Sequence, residues 1–300
     1  RIDPVSTSVA GGAAPLARLP RIGLGSASHG RALGPAELGR LKALRPGHLR
    51  VDVRPSEPQA AGLLRRAAAE ARSVGCPLEI AVHLVDKGPD ELQALVALLA
   101  PLNPPVVQWI IYHDREPVPS ERFIVAAREI LLPFRPEARI ASGTNAFFSD
   151  LNRHRPPKAA ELLAFSASPQ VHAQDPGTFF ENLEGLASAI ESARLLPGDR
   201  PIVVSPITLR PRFNPNATGP ENDSPSGELP VRVDPRQLSL MGAAWTAGAL
   251  RAVGQTGVHS VTFFETTGRQ GVMEREIDPP LHPRFPCLPG WTFPLYHVLA

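Results

Sequence analysis

Cysteine is scarce in this 300-residue chain: only Cys76 and Cys287 are present, far apart in sequence. A pair so widely separated builds no disulfide scaffold, which predicts free thiols in a reducing, cytoplasmic setting. Long apolar runs are missing too. The longest mixed ones, such as Leu92 to Leu102, are too short to span a bilayer, so no membrane partner is expected. No signal-peptide pattern opens the chain. Charge of one sign is also lacking: the formal net charge is +2 and no basic block occurs, which argues against a nucleic-acid partner. Self-similar repeats are absent, excluding a solenoid. Three catalytic signatures are not found. Gly23, Gly25 and Gly30 are wrongly spaced for a G-x-G-x-x-G dinucleotide turn. His83, Asp86, His113, Asp114 and His172 are ligand-type residues, yet no H-x-H or H-E-x-x-H spacing supports a metal. No G-x-S-x-G elbow marks a serine nucleophile. Neither a cofactor nor a metal is expected.

What remains is an ordinary globular composition, 43% hydrophobic and 20% charged, with 35 prolines spread through loops and helix starts. Residues 1–20 are small and Pro/Gly-rich and read as a linker or entry segment. From residue 21 to 300, strand-like and helix-like runs alternate. Strands are expected at Arg21–Gly25, His48–Val53, Leu78–Val85, Val106–Tyr112, Arg139–Ser142, Leu162–Ser166, Ile202–Ile207 and Ser260–Phe264. Helices are expected at Pro35–Leu44, Gln59–Val74, Asp90–Leu99, Ser120–Leu132, Thr178–Leu195 and Asp234–Val253, with a vestigial fifth near Lys158–Leu163 and an eighth after Pro294. Near-continuous apolar strands alternating with helices imply a parallel sheet covered on its faces. Eight such units imply closure into a (β/α)8 TIM-type barrel. The chain opens on Arg1 and stops within a helical pattern, so both ends read as cut from a longer protein.

In such a barrel, chemistry sits at the carboxyl ends of the strands. Pro201 to Gly219 is the most telling stretch, because a buried run ends in Arg210, Arg212, Asn214 and Asn216. Arginine forks and asparagine amides there suit an oxygen-rich small molecule; a proline-stiffened surface loop is the plainer alternative. Glu265 directly follows a buried apolar strand, where a carboxylate is costly unless paired or used. It is the first catalytic candidate, as nucleophile or general base, against a structural pairing with Arg210 or Arg212. Asp114 or Glu116, after the fourth strand, would supply a second carboxylate for acid/base work. Asp52 and Arg54 share a strand face and suit either substrate or an ion pair with each other. His113, Asn145 and His172 complete the candidate binding set, while His83 reads as a satisfied rim histidine.

Four runs carry a family likeness: SGTNAFFSDLNRHRP (Ser142–Pro156), AFSASPQVHAQD (Ala164–Asp175), SPITLRPRFNPNATGPE (Ser205–Glu221) and VTFFETTGRQGVME (Val261–Glu274), with FPLYHVLA at the end. With them, the chain from about Ile22 onward resembles the D-apionate lactonase (D-apionolactonase) family. The resemblance implies a hydrolase of apiose catabolism that opens D-apionolactone to D-apionate. It also implies a TIM-type barrel with flanking β-rich domains in the full-length protein. It assigns no catalytic residue. Pattern alone leaves two other classes open: a glycoside hydrolase using a carboxylate pair, and an inactive carbohydrate-binding barrel.

Overall fold

The computed structural model describes residues 19–213 and 228–300. Eight parallel strands run in chain order: β1 (Arg21–Gly25), β2 (Leu49–Val53), β3 (Leu78–Leu84), β4 (Val106–His113), β5 (Arg139–Gly143), β6 (Leu162–Ala167), β7 (Ile202–Ile207) and β8 (Ser260–Thr267). Each pairs with its neighbours, and β8 pairs with β1, so the sheet closes into a barrel. A short β9 (Gly271–Met273) lies parallel to the end of β8. The helices are α1 (Pro35–Leu44), α2 (Ala60–Val74), α3 (Gly88–Leu99), α4 (Glu121–Phe134), α5 (Phe148–Arg153), α6 (Pro176–Arg194), α7 (Leu240–Thr256) and α8 (Pro294–Leu299). None of the described helices is long and apolar enough to cross a membrane.

Local chemistry explains the boundaries. Proline opens α1, α3, α6 and α8, where its missing N–H costs nothing. Asp175 caps α6 by accepting from Thr178 N at 2.9 Å. Gly75 and Gly257, both left-handed, end α2 and α7. Two expectations fail. The fifth helix is not near Lys158–Leu163 but earlier, at α5, because Leu162 and Leu163 are buried strand residues. The helix expected from Asp234 is split. Asp234 caps only a 3-10 turn, Pro235–Leu238, and Ser239 then caps α7 by accepting from Gly242 N.

Two layers of packing follow from strand alternation. The outer faces carry Leu49, Val51, Ile80, Val82, Trp109 and Ile111 against the helices. The inner faces are divided. Strands β4 to β6 contribute Ile110, Tyr112, Ala141, Leu162 and Ala164 to a small apolar cluster with Ala81 and Val203. The opposite side of the interior, from β2, β3, β7 and β8, is polar: Arg50, Glu79, Ser205, Ser260 and Thr262 are all buried, with His48 just before β2. A polar column thus runs up one side of the barrel to its carboxyl mouth.

Candidate active site

The mouth opens into a cavity of about 990 Å³, lined by residues from the carboxyl end of nearly every strand. Glu265 enters it through an irregularity in β8. The pairing with β1 shifts between Leu24 and Gly25, and Phe264 adopts φ 48, unusual for a bulky residue. A side chain on Gly25 would place its Cβ 2.9 Å from the Phe264 carbonyl oxygen, so only glycine lets β1 approach the bulge. The bulge turns Glu265 into the cavity, where Oε2 accepts from Ser28 N at 2.9 Å. Burial pushes the Glu265 carboxyl up to about 7, while the Ser28 N–H and the charges of Arg232 and Arg212 pull the other way. It makes no ion pair among the described residues; Arg210 and Arg212 are directed at Asp234 and Asp52 instead.

Facing it is a network built on β2. Arg50 and Asp52 are two apart and share the inner face. Arg50 donates to both Asp52 oxygens, at 2.9 Å from Nε and 2.7 Å from Nη2, a bidentate fork. His83 Nε2 lies 3.1 Å from Asp52 Oδ1, and Arg212 Nη1 lies 3.6 Å from the same oxygen. Burial alone would raise the Asp52 carboxyl. Arg50 and Arg212 outweigh it, with the Arg50 and His83 hydrogen bonds, and hold it well below the usual range. On its other side His83 Nδ1 is 3.6 Å from Asp114. Arg54 grips that carboxylate at 3.1 and 3.3 Å. His83 first, then Arg54, hold the Asp114 carboxyl at about 2 despite partial burial. Asn145 Oδ1 accepts from Arg212 Nη2 and, at 3.4 Å, from Arg50 Nη2. With the oxygen so engaged, the Asn145 amide N–H groups are left for a ligand.

Most expected site residues line this cavity, namely Asp52, Arg54, His113, Asp114, Glu116, Asn145, Arg212 and Glu265. Their partners differ from the simplest expectation. Asp52 pairs with Arg50, and Arg54 reaches across to Asp114 instead. Glu116 accepts from Ser120 N at 2.6 Å at the start of α4, so its carboxylate is spent on the helix end. His113 Nδ1 accepts from Arg115 N and Glu116 N, both at 3.2 Å, and thereby shapes the loop after β4. Two expectations are corrected. Arg210 turns away from the cavity because the buried Asp234 holds it at 3.2 Å, helped by Gln174 and the Val231 carbonyl. His172 is exposed outside the cavity, because its loop is anchored by Gln170, which donates to Leu209 O and Asp234. Asn214 lies outside the described residues.

The model of the D-apionate lactonase TIM-barrel domain matches residues 22–300. The chain belongs to that family. A D-apionate lactonase from Brucella anthropi is 28% identical over 166 residues, 54% of this chain and 26% of the relative. The chain therefore spans only part of the length of that relative. Solved barrels are similar in fold at low identity. An α-L-arabinofuranosidase from Thermotoga maritima superposes with a TM-score of 0.61 at 12% identity, covering 95% of this chain and 70% of the other. The Ignisphaera aggregans GH53 catalytic domain gives 0.58 at 13%, covering 96% of each.

Several cavity residues of this D-apionate lactonase family member carry little mark in the sequence. Arg50 hides inside a run that reads as an apolar strand, although its i, i+2 spacing to Asp52 is the available signal. His83 is no bystander, since it sits between two carboxylates. The Ser28 backbone N–H has no side-chain signature at all. Among the described residues, no group of three or more His, Cys, Asp or Glu is placed to hold a metal ion.

Proposed function

We propose that this barrel hydrolyses a sugar lactone, D-apionolactone, to D-apionate in apiose catabolism. Membership of the family supports the substrate, and one observation supports the chemistry: a carboxyl at about 7, Glu265, set in a polar cavity. A group poised near neutral pH serves well as a general base and then as a general acid. Ionised Glu265 takes a proton from water as the water oxygen adds to the lactone carbonyl. Arg212 and the Asn145 amide donate to the oxyanion that forms. Asp114, held ionised at about 2, has no proton to give at neutral pH. Protonated Glu265 therefore returns its proton to the ring oxygen as the carbon–oxygen bond breaks. One water is consumed and one hydroxy acid is formed. Asp52, Arg54 and His83 are left to bind sugar hydroxyls.

The full-length protein is proposed to carry β-rich domains beside this barrel and to work in the cytoplasm. Burial pushes the Cys76 thiol up to about 11, and burial with the neighbouring Glu274 carboxylate pushes the Cys287 thiol up to about 12, so both free cysteines stay protonated at neutral pH.

The test is acid release from D-apionolactone, above spontaneous hydrolysis, by wild type and Glu265→Gln. The variant should fold and lose about 10²–10⁴-fold in kcat. Equal activity in the two proteins would remove Glu265 from the mechanism; no turnover by wild type would remove the lactonase reading. A second reading, glycoside hydrolysis, is favoured by the split between carboxyls at about 2 and about 7, a division that suits one anion and one acid. Turnover of aryl glycosides without turnover of lactones would select it.

A further inference from the structure

We infer that Glu79, deep in the barrel and out of reach of any substrate, is a positioning residue that acts on the site through Arg50. Its carboxylate is fully buried and saturated. Oε1 accepts from Ser205 Oγ and, at 3.0 Å, from Thr262 Oγ1. Oε2 accepts from Gln108 Nε2 and lies 3.4 Å from His48 Nε2. Glu79 thereby ties together residues from β3, β4, β7 and β8 and the start of β2.

Glu79 faces the cavity through Arg50, while the Ser205 backbone carbonyl also accepts from Ser166 Oγ, which in turn accepts from Arg212 Nη2 at 3.5 Å. Arg50 Nη1 donates to Ser205 Oγ at 2.9 Å and to Ser205 O at 2.5 Å, and lies 4.0 Å from Glu79 Oε1. The remaining Arg50 donors, Nε and Nη2, are the fork on Asp52. The guanidinium is thus clamped from below by Ser205 and Glu79 and from above by Asp52. Asp52 in turn orients His83 and Arg212. Two cationic groups, Arg50 and Arg212, share the single carboxylate of Asp52 at the mouth. Glu79 is a second carboxylate beside the Arg50 guanidinium, fully buried where Asp52 is not.

A structural role for the cluster is a weaker account. The other half of the barrel closes with Ala, Ile, Leu and Val and a single Tyr, Tyr112, so charged residues are not needed to fill the interior. A buried ionic group adds little stability over an apolar residue of similar volume. The chain even gives up side-chain volume to keep the cluster: a Cβ on Gly23 would come within 2.2 Å of the His48 ring.

The inference rests on the hydrolase reading, and its test separates the two. Glu79→Gln keeps the shape and removes the charge; Ser205→Ala removes the bridge and leaves the charge. Each should lower kcat on D-apionolactone, Glu79→Gln by about 10- to 100-fold, with KM within about threefold, as for a site set slightly out of place. In a cycle with Arg50→Lys, the double variant should be no slower than the slower single variant, because both changes act on one guanidinium. A folded Glu79→Gln with normal kcat, or effects that multiply in the cycle, overturns the proposal. If Glu79→Gln does not fold, the cycle is run with Ser205→Ala and judged by the same two outcomes. A wild type inert toward lactones defeats the hydrolase reading instead. The clamp is then read directly, by hydrogen exchange at Arg50 Nε in 15N-arginine-labelled protein. Exchange at least about tenfold faster in Glu79→Gln or Ser205→Ala supports the clamp, and unchanged exchange in both overturns it.

Discussion

At the scale of single residues, Glu265 sets function against stability. Its carboxyl is raised from 4.5 to about 7 chiefly by burial, so the folded state holds this proton where the unfolded chain has released it. The contribution to stability is full below pH 4.5 and disappears as pH rises through 7. Above that, the ionised form has no ion pair among the described residues and is held by the backbone N–H and side chain of Ser28, with weaker help from the charges of Arg232 and Arg212. Glu265→Gln removes the charge and can still accept from Ser28 N. The variant should therefore be more stable than wild type at pH 8, by about 1–3 kcal/mol, and lose the advantage at pH 4.5. Urea midpoints at the two pH values measure it; equal midpoints at pH 8 would mean that the carboxylate is better solvated than its surroundings suggest. Activity should follow the opposite course. As a base, Glu265 works when ionised, so kcat/KM should rise with pH through about 7 and then level. A rate that falls across that range would show that the protonated form is the working one.

At the scale of elements, the strands were legible and their inner faces were not. Every expected strand exists, with ends within one to three residues of the expectation, because the outer-face residues and one half of the inner face are apolar. The same apolar residues disguise the alternation that hides Arg50 and Glu79. Helix α5 was misplaced because it has only six residues, too few for a hydrophobic period to show. Glycine positions give a sharper test of element packing. A Cβ on Gly143 in β5 would lie 1.8 Å from the Ala164 carbonyl oxygen of β6, a backbone atom that cannot move without opening the pair. On exposed Gly62 in α2 a Cβ would meet nothing within 4 Å. Gly143→Ala should cost about 1–3 kcal/mol or more, and Gly62→Ala should add about 0.5–1 kcal/mol through helix propensity. Thermal midpoints moving in the same direction would contradict this account of how β5 and β6 meet.

At the scale of the whole molecule, the eight apolar runs of the sequence specify an eight-stranded barrel, and the polar residues that follow them mark its mouth. What could not be read was which side chains turn inward after a strand ends, since that depends on distant partners: Asp234 for Arg210, Asp114 for Arg54, Asp52 for Arg212. Those partnerships set how the molecule responds to acid. From pH 7 toward 4.5, two opposing trends act. Glu70 and Glu265, both raised to about 7 by burial, favour the folded state as pH falls. Buried His48 and half-buried His29 and His259, all lowered chiefly by desolvation, favour the unfolded state because the unfolded chain takes up their protons first. These partly cancel. Below about 4 the glutamates are protonated in both states and their trend ends. Asp52 stands well below the usual range and Asp114 and Asp234 at about 2, so the unfolded chain gains protons at 3.8 that the folded chain still refuses. Stability should therefore change little between pH 7 and 4.5 and fall steeply from 4 to 2. Urea midpoints across that range measure it, with Asp52→Asn as the comparison, since this variant starts less stable and should show a shallower acid limb. A midpoint that holds level down to pH 2 would mean that the arginine–carboxylate bonds at the barrel mouth contribute nothing net to the fold and serve the site alone.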